Sequence, residues 1–312
     1  MQRSLDFLVE IARRYYVDEL SQQEIAKEYN FSRPTVSNIL KQCKEEGIVE
    51  IRIRDGSPFS TALGDRLRKK FGLKNAIVIP TTEDKNAVLS RAGAEAAIYA
   101  ASVIKDGMRV GIGWGTSLYQ MVHHMKPLEV VDVSVVQLMG GLGANNPQYD
   151  GSDLARELSK LLKARYYSFQ CPVLVKSKEV KEIFVNELGI KEALSRTESL
   201  DIAFVGLSSN DPDKSALVKS GFLTLAKADR IMKAGAVGHI CGYSFDSQGK
   251  MLDLSINRRI IGIEFNSLLK IPSRVGIACG AEKAIAIKAA LEAGLVNTLI
   301  TDEAAVLRIL SS

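Results

Sequence analysis

Short apolar runs alternate with helical patterns from Lys74 to the end of the 312-residue chain. Strand patterns occur at residues 76–79, 108–113, 131–139, 202–206, 275–278 and 298–301. Helical patterns occur at residues 87–104, from 116 onward, at 153–163 and at 282–293, and Asp302 is placed to cap a last helix. Because such alternation is typical of a mostly parallel sheet covered on both faces, it predicts an α/β domain.

The first 56 residues carry a different pattern, that of successive capped helices. Ser21-Gln22-Gln23-Glu24 is a capping box, which predicts a short helix that ends near Asn30. Ser32 is placed to cap a second helix, with Pro34 in its first turn and Gly47 at its end. Asn30 suits the left-handed residue that separates the two helices.

Apolar residues in this segment recur at helical spacing and then alternate. The second capped helix has a buried stripe of Val36, Ile39, Leu40 and Cys43. An earlier helix is marked by Leu5, Leu8, Ile11, Ala12 and Tyr15. Val49, Ile51 and Ile53 alternate with charged residues and indicate a strand. This order of elements is typical of a winged helix-turn-helix.

The chain is therefore predicted to have two domains. Residues 1–56 form an α-helical winged helix-turn-helix domain that binds DNA, and residues 57–312 form the α/β domain. Gly56-Ser57-Pro58 ends the wing, and a linker helix follows with Leu63, Leu67 and Phe71 on one face. The chain is longer than the usual size of a domain with one hydrophobic core, which agrees with two domains.

The second capped helix has the size and local charge of a DNA-recognition helix. The net charge of the whole chain is only +5, whereas residues 33–44 carry Arg33, Lys41 and Lys44 and no acid. Arg33 and Asn38 suit base edges, and the other polar residues suit phosphates. The candidate DNA-binding residues are Ser32, Arg33, Thr35, Ser37, Asn38 and Lys41. The alternative is a three-helix packing unit with a solvated face.

A glycine-rich loop follows the second predicted strand. Gly111 to Ser117 combines three glycines with the hydroxyls of Thr116 and Ser117 at a helix start. Backbone N–H groups and the helix dipole in such a loop favour a phosphate. The loop lacks a full dinucleotide fingerprint and a P-loop lysine, and the glycines alone are compatible with a tight turn.

Further polar loops are expected at the same edge of the sheet. Gly140 and Gly141 begin a loop with Asn145, Lys283 lies at a helix start, and His239 lies in a glycine-rich stretch that reaches Asp246. His239 suits a sugar hydroxyl or, equally, a structural place under a loop. The candidate effector-binding residues are Gly113, Gly115, Thr116, Ser117, Gly140, Gly141, Asn145, His239, Asp246 and Lys283.

These segments closely resemble the SorC family of bacterial sugar-responsive transcriptional regulators. The resemblance rests on Ser21–Ala26, Ser32–Leu40, Gly47–Val49 and the glycine loops, and it covers essentially the whole chain. It implies a Rossmann-like domain related to sugar-phosphate isomerases and coenzyme A transferases. It also implies a phosphorylated sugar as effector and a homotetramer built as a dimer of dimers.

Residue by residue, the resemblance places the phosphate cradle at Gly113, Gly115, Thr116, Ser117 and Lys283. The chain departs from the family at Asn38, where many relatives carry arginine, and at His239, where the family often has an acid. No lysine lies in the loop after Met139. A Schiff base to an aldehyde sugar is therefore unsupported there.

Two functions follow from this sequence. The first is a regulator that binds double-stranded operator DNA, most simply a repressor of a carbohydrate-utilisation operon relieved by a sugar phosphate. The alternative is a sugar-phosphate isomerase or deaminase with an accessory DNA-binding module. Such an enzyme needs a placed base, and the loop carboxylates Glu282 and Asp246 have no histidine partner in their motifs. We expect no enzyme, no metal and no cofactor.

The remaining features concern the compartment. Cys43, Cys171, Cys241 and Cys279 lie far apart, which predicts buried thiols in a reducing cytoplasm. The sequence shows neither an apolar stretch of the roughly 18 residues that a membrane span needs nor an apolar leader. We therefore expect a cytoplasmic protein that does not engage a membrane.

Overall fold

The computed structural model describes residues 4–49, 57–141, 149–219 and 221–311. The chain divides into two compact units, Met1–Asp55 and Gly56–Ser312. No helix within the described ranges is both long and apolar enough to cross a membrane.

The described part of the first unit contains three short helices: α1 (Leu5–Tyr16), α2 (Gln22–Glu28) and α3 (Arg33–Glu45). The predicted caps are present, because Ser21 and Glu24 form a reciprocal capping box and the Ser32 hydroxyl accepts from the Thr35 N–H. Asn30 adopts a left-handed conformation with φ of 55°. Local sequence signals therefore set where these helices begin and end.

The core of the first unit contains the predicted apolar residues except Leu5 and Tyr15, and Tyr15 is partly buried against it. It consists of Leu8, Ile11, Ala12, Ile25, Ala26, Val36, Ile39, Leu40 and Cys43. Leu5, predicted to share this face, is 63% exposed because it begins α1 at the edge of the unit. Most of the strand predicted at 49–53 lies outside the described residues.

The second unit is built on a parallel sheet. The strands are β1 (Asn75–Ile79), β2 (Arg109–Ile112), β3 (Ser134–Gln137), β4 (Arg165–Tyr167), β5 (Ile202–Ser209), β6 (Gly238–Ile240), β7 (Tyr243–Phe245), β8 (Ser273–Ile277) and β9 (Thr298–Asp302). The main path runs β1-β9-β8-β5-β2-β3-β4, with every pair on it parallel. The β6–β7 hairpin joins the end of β5 in antiparallel pairing.

Helices surround this sheet. They are α4 (Pro58–Phe71), α5 (Lys85–Val103), α6 (Thr116–His124), α7 (Gly151–Leu161), α8 (Lys178–Asn186), α9 (Leu188–Arg196), α10 (Ala216–Lys219), α11 (Leu225–Lys233), α12 (Phe265–Leu268), α13 (Ala284–Glu292) and α14 (Glu303–Ser311). Alternate residues of β5 enter two different cores. Because Val205 packs in one and Phe204 in the other, the sheet is covered on both faces, as the sequence pattern predicted.

Several predicted boundaries shift, and the predicted cap of α14 is different. The strand predicted from Val131 begins at Ser134, because Asp132 has a left-handed φ of 55° that an extended strand does not accept. The helix predicted from Glu282 begins at Ala284, after a 3₁₀ turn. Asp302 ends β9 and does not cap α14.

The capping of α14 is done from a distant part of the chain. The Thr81 hydroxyl accepts from the Ala304 N–H at 2.9 Å, in the first turn of α14. Both oxygens of the Asp302 carboxylate are used elsewhere, by the Gly280 N–H at 2.7 Å and by the Thr81 hydroxyl at 2.8 Å. The sequence prediction for Asp302 is therefore wrong, because the tertiary fold supplies a different cap.

Candidate functional site

Four of the six predicted DNA-contacting residues form an exposed strip of α3, whereas Ser32 is the N-cap that precedes the helix and Thr35 is half-buried. Arg33, Ser37 and Lys41 follow one another at four-residue spacing, and Asn38 is also exposed. The opposite side of the helix carries the buried stripe. This arrangement leaves the guanidinium and the amide in solvent, in the geometry of a helix that enters a major groove.

Three of the six candidate residues already have partners. The Ser32 hydroxyl caps α3 through the Thr35 N–H at 3.3 Å and lies 2.8 Å from the Thr35 hydroxyl. Lys41 forms an exposed ion pair with Glu45 at 3.5 Å. Such an exposed pair is weak, so it leaves the lysine able to contact a phosphate.

A cavity of about 480 Å³, measured with its opening to solvent, lies at the carboxyl ends of β2 and β5. This is the edge of a parallel sheet at which ligands bind. Its lining consists of Gly113, Trp114, Gly115, Thr116, Ser117, Met139, Gly206, Leu207, Ser208, His239, Cys241 and Lys283. Six of the ten candidate effector residues are thereby brought to one cavity: Gly113, Gly115, Thr116, Ser117, His239 and Lys283.

The amino terminus of α6 forms one wall of the cavity. Its N-cap is Gly115, which has φ of 118° and offers no side chain to cap the helix. The first N–H groups of any α-helix lack an acceptor within the helix. The amides of Thr116 and Ser117, together with their hydroxyls, therefore form a donor-rich end that suits an anion.

The glycines of this loop contribute through their backbone conformation and not through hydrogen bonds that their N–H groups would donate to a ligand. The Gly113 N–H donates to the Phe204 carbonyl at 3.0 Å, and the Gly115 N–H donates to the Tyr149 carbonyl at 3.1 Å. Their amides are therefore occupied, contrary to the expectation that they approach the ligand. Gly115 is required for its positive φ, which side chains rarely adopt.

Lys283 brings the positive charge of the cavity. It closes the 3₁₀ turn Ala281–Lys283 and directly precedes α13. Burial lowers the pKa of the Lys283 ammonium. Within the described ranges it takes part in none of the ion pairs. A partly buried ammonium that makes no ion pair with the described residues favours an anionic ligand, which would supply a counter-charge.

His239 contributes a neutral polar group to the cavity lining. It is only 4% exposed, on the short strand β6. Burial, with a smaller contribution from Lys283, lowers the pKa of His239 to about 3, so the ring is uncharged near neutral pH. Within the described part of the chain its Nε2 atom has no hydrogen-bond partner. A ligand group that completes this bond would remove an unfavourable buried polar atom.

The structure does not bring Gly140 or Gly141 to the cavity. The Gly140 N–H donates to the Ile261 carbonyl at 3.0 Å, and the Gly141 N–H donates to the Cys171 carbonyl at 2.9 Å. A Cβ at Gly140 would lie 2.7 Å from the Cys171 oxygen, so close backbone packing accounts for the glycine. These two residues pack closely against neighbouring backbone and do not form the predicted amide cradle.

Asp246 is also absent from the cavity lining. Its carboxylate accepts from the Gln248 and Lys250 N–H groups, each at 2.9 Å, and so holds the turn that follows β7. The prediction for Asn145 lies outside the described residues.

Sequence reasoning missed part of the lining. The sequence pattern does not distinguish Trp114 from the rest of the glycine loop, and it indicates Cys241 only as a buried thiol. Cys241 and Gly242 have φ of 47° and 81°, which is the two-residue turn that joins β6 to β7. The alternation of residue types on both sides of this turn is the sequence signal that predicts a hairpin. This hairpin places His239 and Cys241 in the cavity lining.

Comparison with known proteins agrees with this two-part organisation. Residues 58–311 match the family model described as "Putative sugar-binding domain", and residues 2–57 match the Crp-like helix-turn-helix domain. The chain is 33% identical over 299 residues to the deoxyribonucleoside regulator of Bacillus subtilis (strain 168), covering 95% of this chain and 94% of that protein.

Two further relatives span the same length. The chain is 28% identical over 303 residues to the transcriptional regulator LsrR of Enterobacter sp. (strain 638), covering 96% of this chain and 90% of that protein. The full-length sorbitol operon regulator SorC from Klebsiella pneumoniae superposes with a TM-score of 0.83 at 26% identity, covering 99% of this chain and 100% of the other. The chain therefore belongs to the SorC-type family of transcriptional regulators, which join a helix-turn-helix to a sugar-binding domain.

Proposed function

We propose that the chain is a repressor of a carbohydrate-utilisation operon that a phosphorylated sugar releases from its operator. The observation that carries the effector part is the meeting of three groups in one cavity. Among the described residues, they are the start of α6 without a side-chain cap, the Lys283 ammonium without an ion pair and Nε2 of His239 without a hydrogen-bond partner. A phosphate suits the first two, and a neutral hydroxyl suits the third.

The proposed ligand therefore has two chemically different ends. Its phosphate accepts from the amides and hydroxyls of Thr116 and Ser117 and pairs with Lys283. Its sugar ring extends toward Trp114 and His239, where an apolar face and a hydrogen-bonding edge are combined. The ligand acts as an allosteric effector, and the proposal includes no cofactor.

The DNA part of the proposal assigns the exposed strip of α3 to the major groove. Arg33 suits a guanine and Asn38 an adenine, since each side chain can make paired hydrogen bonds to that base. Two helix-turn-helix units of a dimer would read successive half-sites of the operator. We extend the proposal to a cytoplasmic homotetramer built as a dimer of dimers, with a Rossmann-like second domain akin to sugar-phosphate isomerases.

Nothing in the cavity favours the enzymatic alternative. An isomerase or deaminase needs a placed base, and none of the lining residues that the structure describes is a carboxylate. His239 carries a lone pair, but its pKa of about 3 makes it a weak base. The relatives reported above are named as regulators.

A thermal-shift screen paired with a product assay tests the proposal. The panel contains pentose and hexose phosphates, each beside its unphosphorylated sugar, and deoxyribonucleosides because one relative is named for them. We expect a sugar phosphate to raise the unfolding temperature without forming product, and the matching free sugar to leave it unchanged. Product formation, or stabilisation by free sugars alone, would contradict the proposal.

A further inference from the structure

Two adjacent carboxylates, those of Asp302 and Glu303, connect the turn that carries Lys283 to the first turn of α4 through hydrogen bonds. Asp302 ends β9 and Glu303 begins α14, so one peptide bond joins them. Asp302 is 1% exposed. Each carboxylate accepts hydrogen bonds from a different part of the second unit, and these two parts are the cavity turn and α4.

On the cavity side, Asp302 holds the turn that carries Lys283. Its Oδ1 atom accepts from the Gly280 N–H at 2.7 Å. The Gly280 carbonyl in turn accepts from the Lys283 N–H at 3.0 Å, which closes the turn. Gly280 has φ of 105°, so its backbone position depends on being held in a conformation that favours glycine.

On the other side, Glu303 holds the start of α4. Its Oε1 atom accepts from the Ser60 hydroxyl at 2.6 Å and from the Ser57 hydroxyl at 3.4 Å. Ser57 is also the N-cap of α4, since its hydroxyl accepts from the Ser60 N–H at 3.1 Å. Ser60 is 1% exposed, so its hydrogen bond to Glu303 is not shared with bulk water.

Thr81 ties the two carboxylates together. Its hydroxyl donates to Oδ2 of Asp302 at 2.8 Å and accepts from the Ala304 N–H at 2.9 Å. A displacement of Asp302 therefore moves the first turn of α14, which carries Glu303. Coupling between distant sites travels through contiguous hydrogen-bonded groups of this kind.

We propose that Asp302 and Glu303 are positioning residues that transmit occupancy of the cavity to the start of α4. An anion on Lys283 shifts the 280–283 turn, Asp302 follows the Gly280 amide, and Glu303 changes its hold on Ser57 and Ser60. Helix α4 begins three residues after Asp55, at which the first unit ends. This inference rests on the proposed function, because it assigns a role to the same anion site.

Hydrogen exchange of the full-length protein, with and without saturating inorganic phosphate, tests the inference. In the wild type, phosphate is expected to slow exchange at residues 116–118 and to change exchange at residues 59–64 by about fivefold or more, the lower end of typical allosteric coupling. Glu303→Ala and Ser60→Ala keep the first effect and lose the second. Glu303→Gln retains an acceptor oxygen and restores the second effect.

The controls separate transmission from a merely structural role. Glu292→Ala removes an exposed carboxylate at the end of α13 and is expected to behave as the wild type. A structural Glu303 would change basal exchange in α4 but leave the phosphate-dependent difference intact, and that result overturns the inference.

Two further outcomes have distinct meanings. Protection at 116–118 in the wild type with no change at 59–64 overturns the inference and leaves the proposed function standing. Absence of protection at 116–118 removes the anion site itself, and it overturns the proposed function together with the inference.

Discussion

The imidazole of His239 lies parallel to the indole of Trp114, with ring centroids 6.5 Å apart and an angle of 10° between the planes. The indole comes from the loop after β2, and the imidazole comes from the β6–β7 hairpin. Two segments far apart in sequence thus form one wall of the cavity.

His239 makes stability depend on pH. In an unfolded chain a histidine has a pKa of about 6.5, whereas burial lowers the pKa of His239 to about 3 in the folded protein. Between these values the unfolded chain binds a proton that the folded chain does not. The free energy of unfolding attributable to His239 therefore falls by about 2 kcal/mol between pH 7 and pH 5.

Urea unfolding of the wild type and of His239→Gln at these two pH values measures this effect. The variant removes the titrating ring, so its stability should fall less over the same interval. Equal losses for the two proteins would show that His239 is not held neutral by burial.

Lys283 is predicted to supply most of the charge that holds a phosphate. Lys283→Met keeps the alkyl stem and removes the ammonium, and a charge-assisted hydrogen bond is worth about 1.5–3 kcal/mol. We expect calorimetry to show about 10- to 100-fold weaker binding of a sugar phosphate. Lys250→Met, on an exposed turn away from the cavity, is the matched control. Unchanged affinity in Lys283→Met would remove the lysine from the site.

Gly115 is predicted to be irreplaceable because of its backbone. A Cβ there meets no atom within 4 Å, so a substitution suffers no clash, but φ is 118°. Gly115→Ala should lose about 1–3 kcal/mol of stability and also weaken phosphate binding, because the start of α6 must shift. Gly189→Ala, equally free of contacts but within α9, should retain wild-type stability or exceed it. Equal behaviour of the two variants in thermal unfolding would contradict this account.

Arg33 is predicted to contribute to DNA binding but not to sugar-phosphate binding. Arg33→Ala removes the guanidinium from the exposed strip of α3 and should cost about 1–3 kcal/mol in binding to a selected duplex. Its affinity for sugar phosphate should be that of the wild type. Lys27→Ala removes an exposed charge from α2 in the same unit and serves as the control. Equal loss in both variants, measured by fluorescence anisotropy, would indicate general electrostatics and no specific contact.

The sequence predicted features that depend on neighbours along the chain. The caps at Ser21 and Ser32, the left-handed Asn30 and the alternation of strands and helices are all local signals, and the structure contains them. The start of α6 at Thr116 is also predicted from a local signal, because Gly115 directly before it is the N-cap of the helix.

The remaining features depend on hydrogen bonds between residues far apart in the sequence, which limited their prediction. The glycines at 140 and 141 have the composition of a ligand cradle, yet their amides pair with Ile261 and Cys171, and no local pattern reveals such partners. Similarly, Asp302 has the position of a helix cap, whereas Thr81, more than two hundred residues earlier, performs that role. Glycine and aspartate serve both ligands and packing, so only the fold distinguishes the two uses.

Operator affinity at fixed salt, with and without a bound sugar phosphate, tests the central claim most directly. The duplex is obtained by selecting random DNA against the wild-type protein, and the effector is the sugar phosphate that stabilises it in the thermal-shift screen. The account predicts about 5- to 150-fold weaker DNA binding in the presence of the effector, and a much smaller change in Lys283→Met at an effector concentration that just saturates the wild type. A DNA affinity that stays constant while the sugar phosphate demonstrably binds would contradict it.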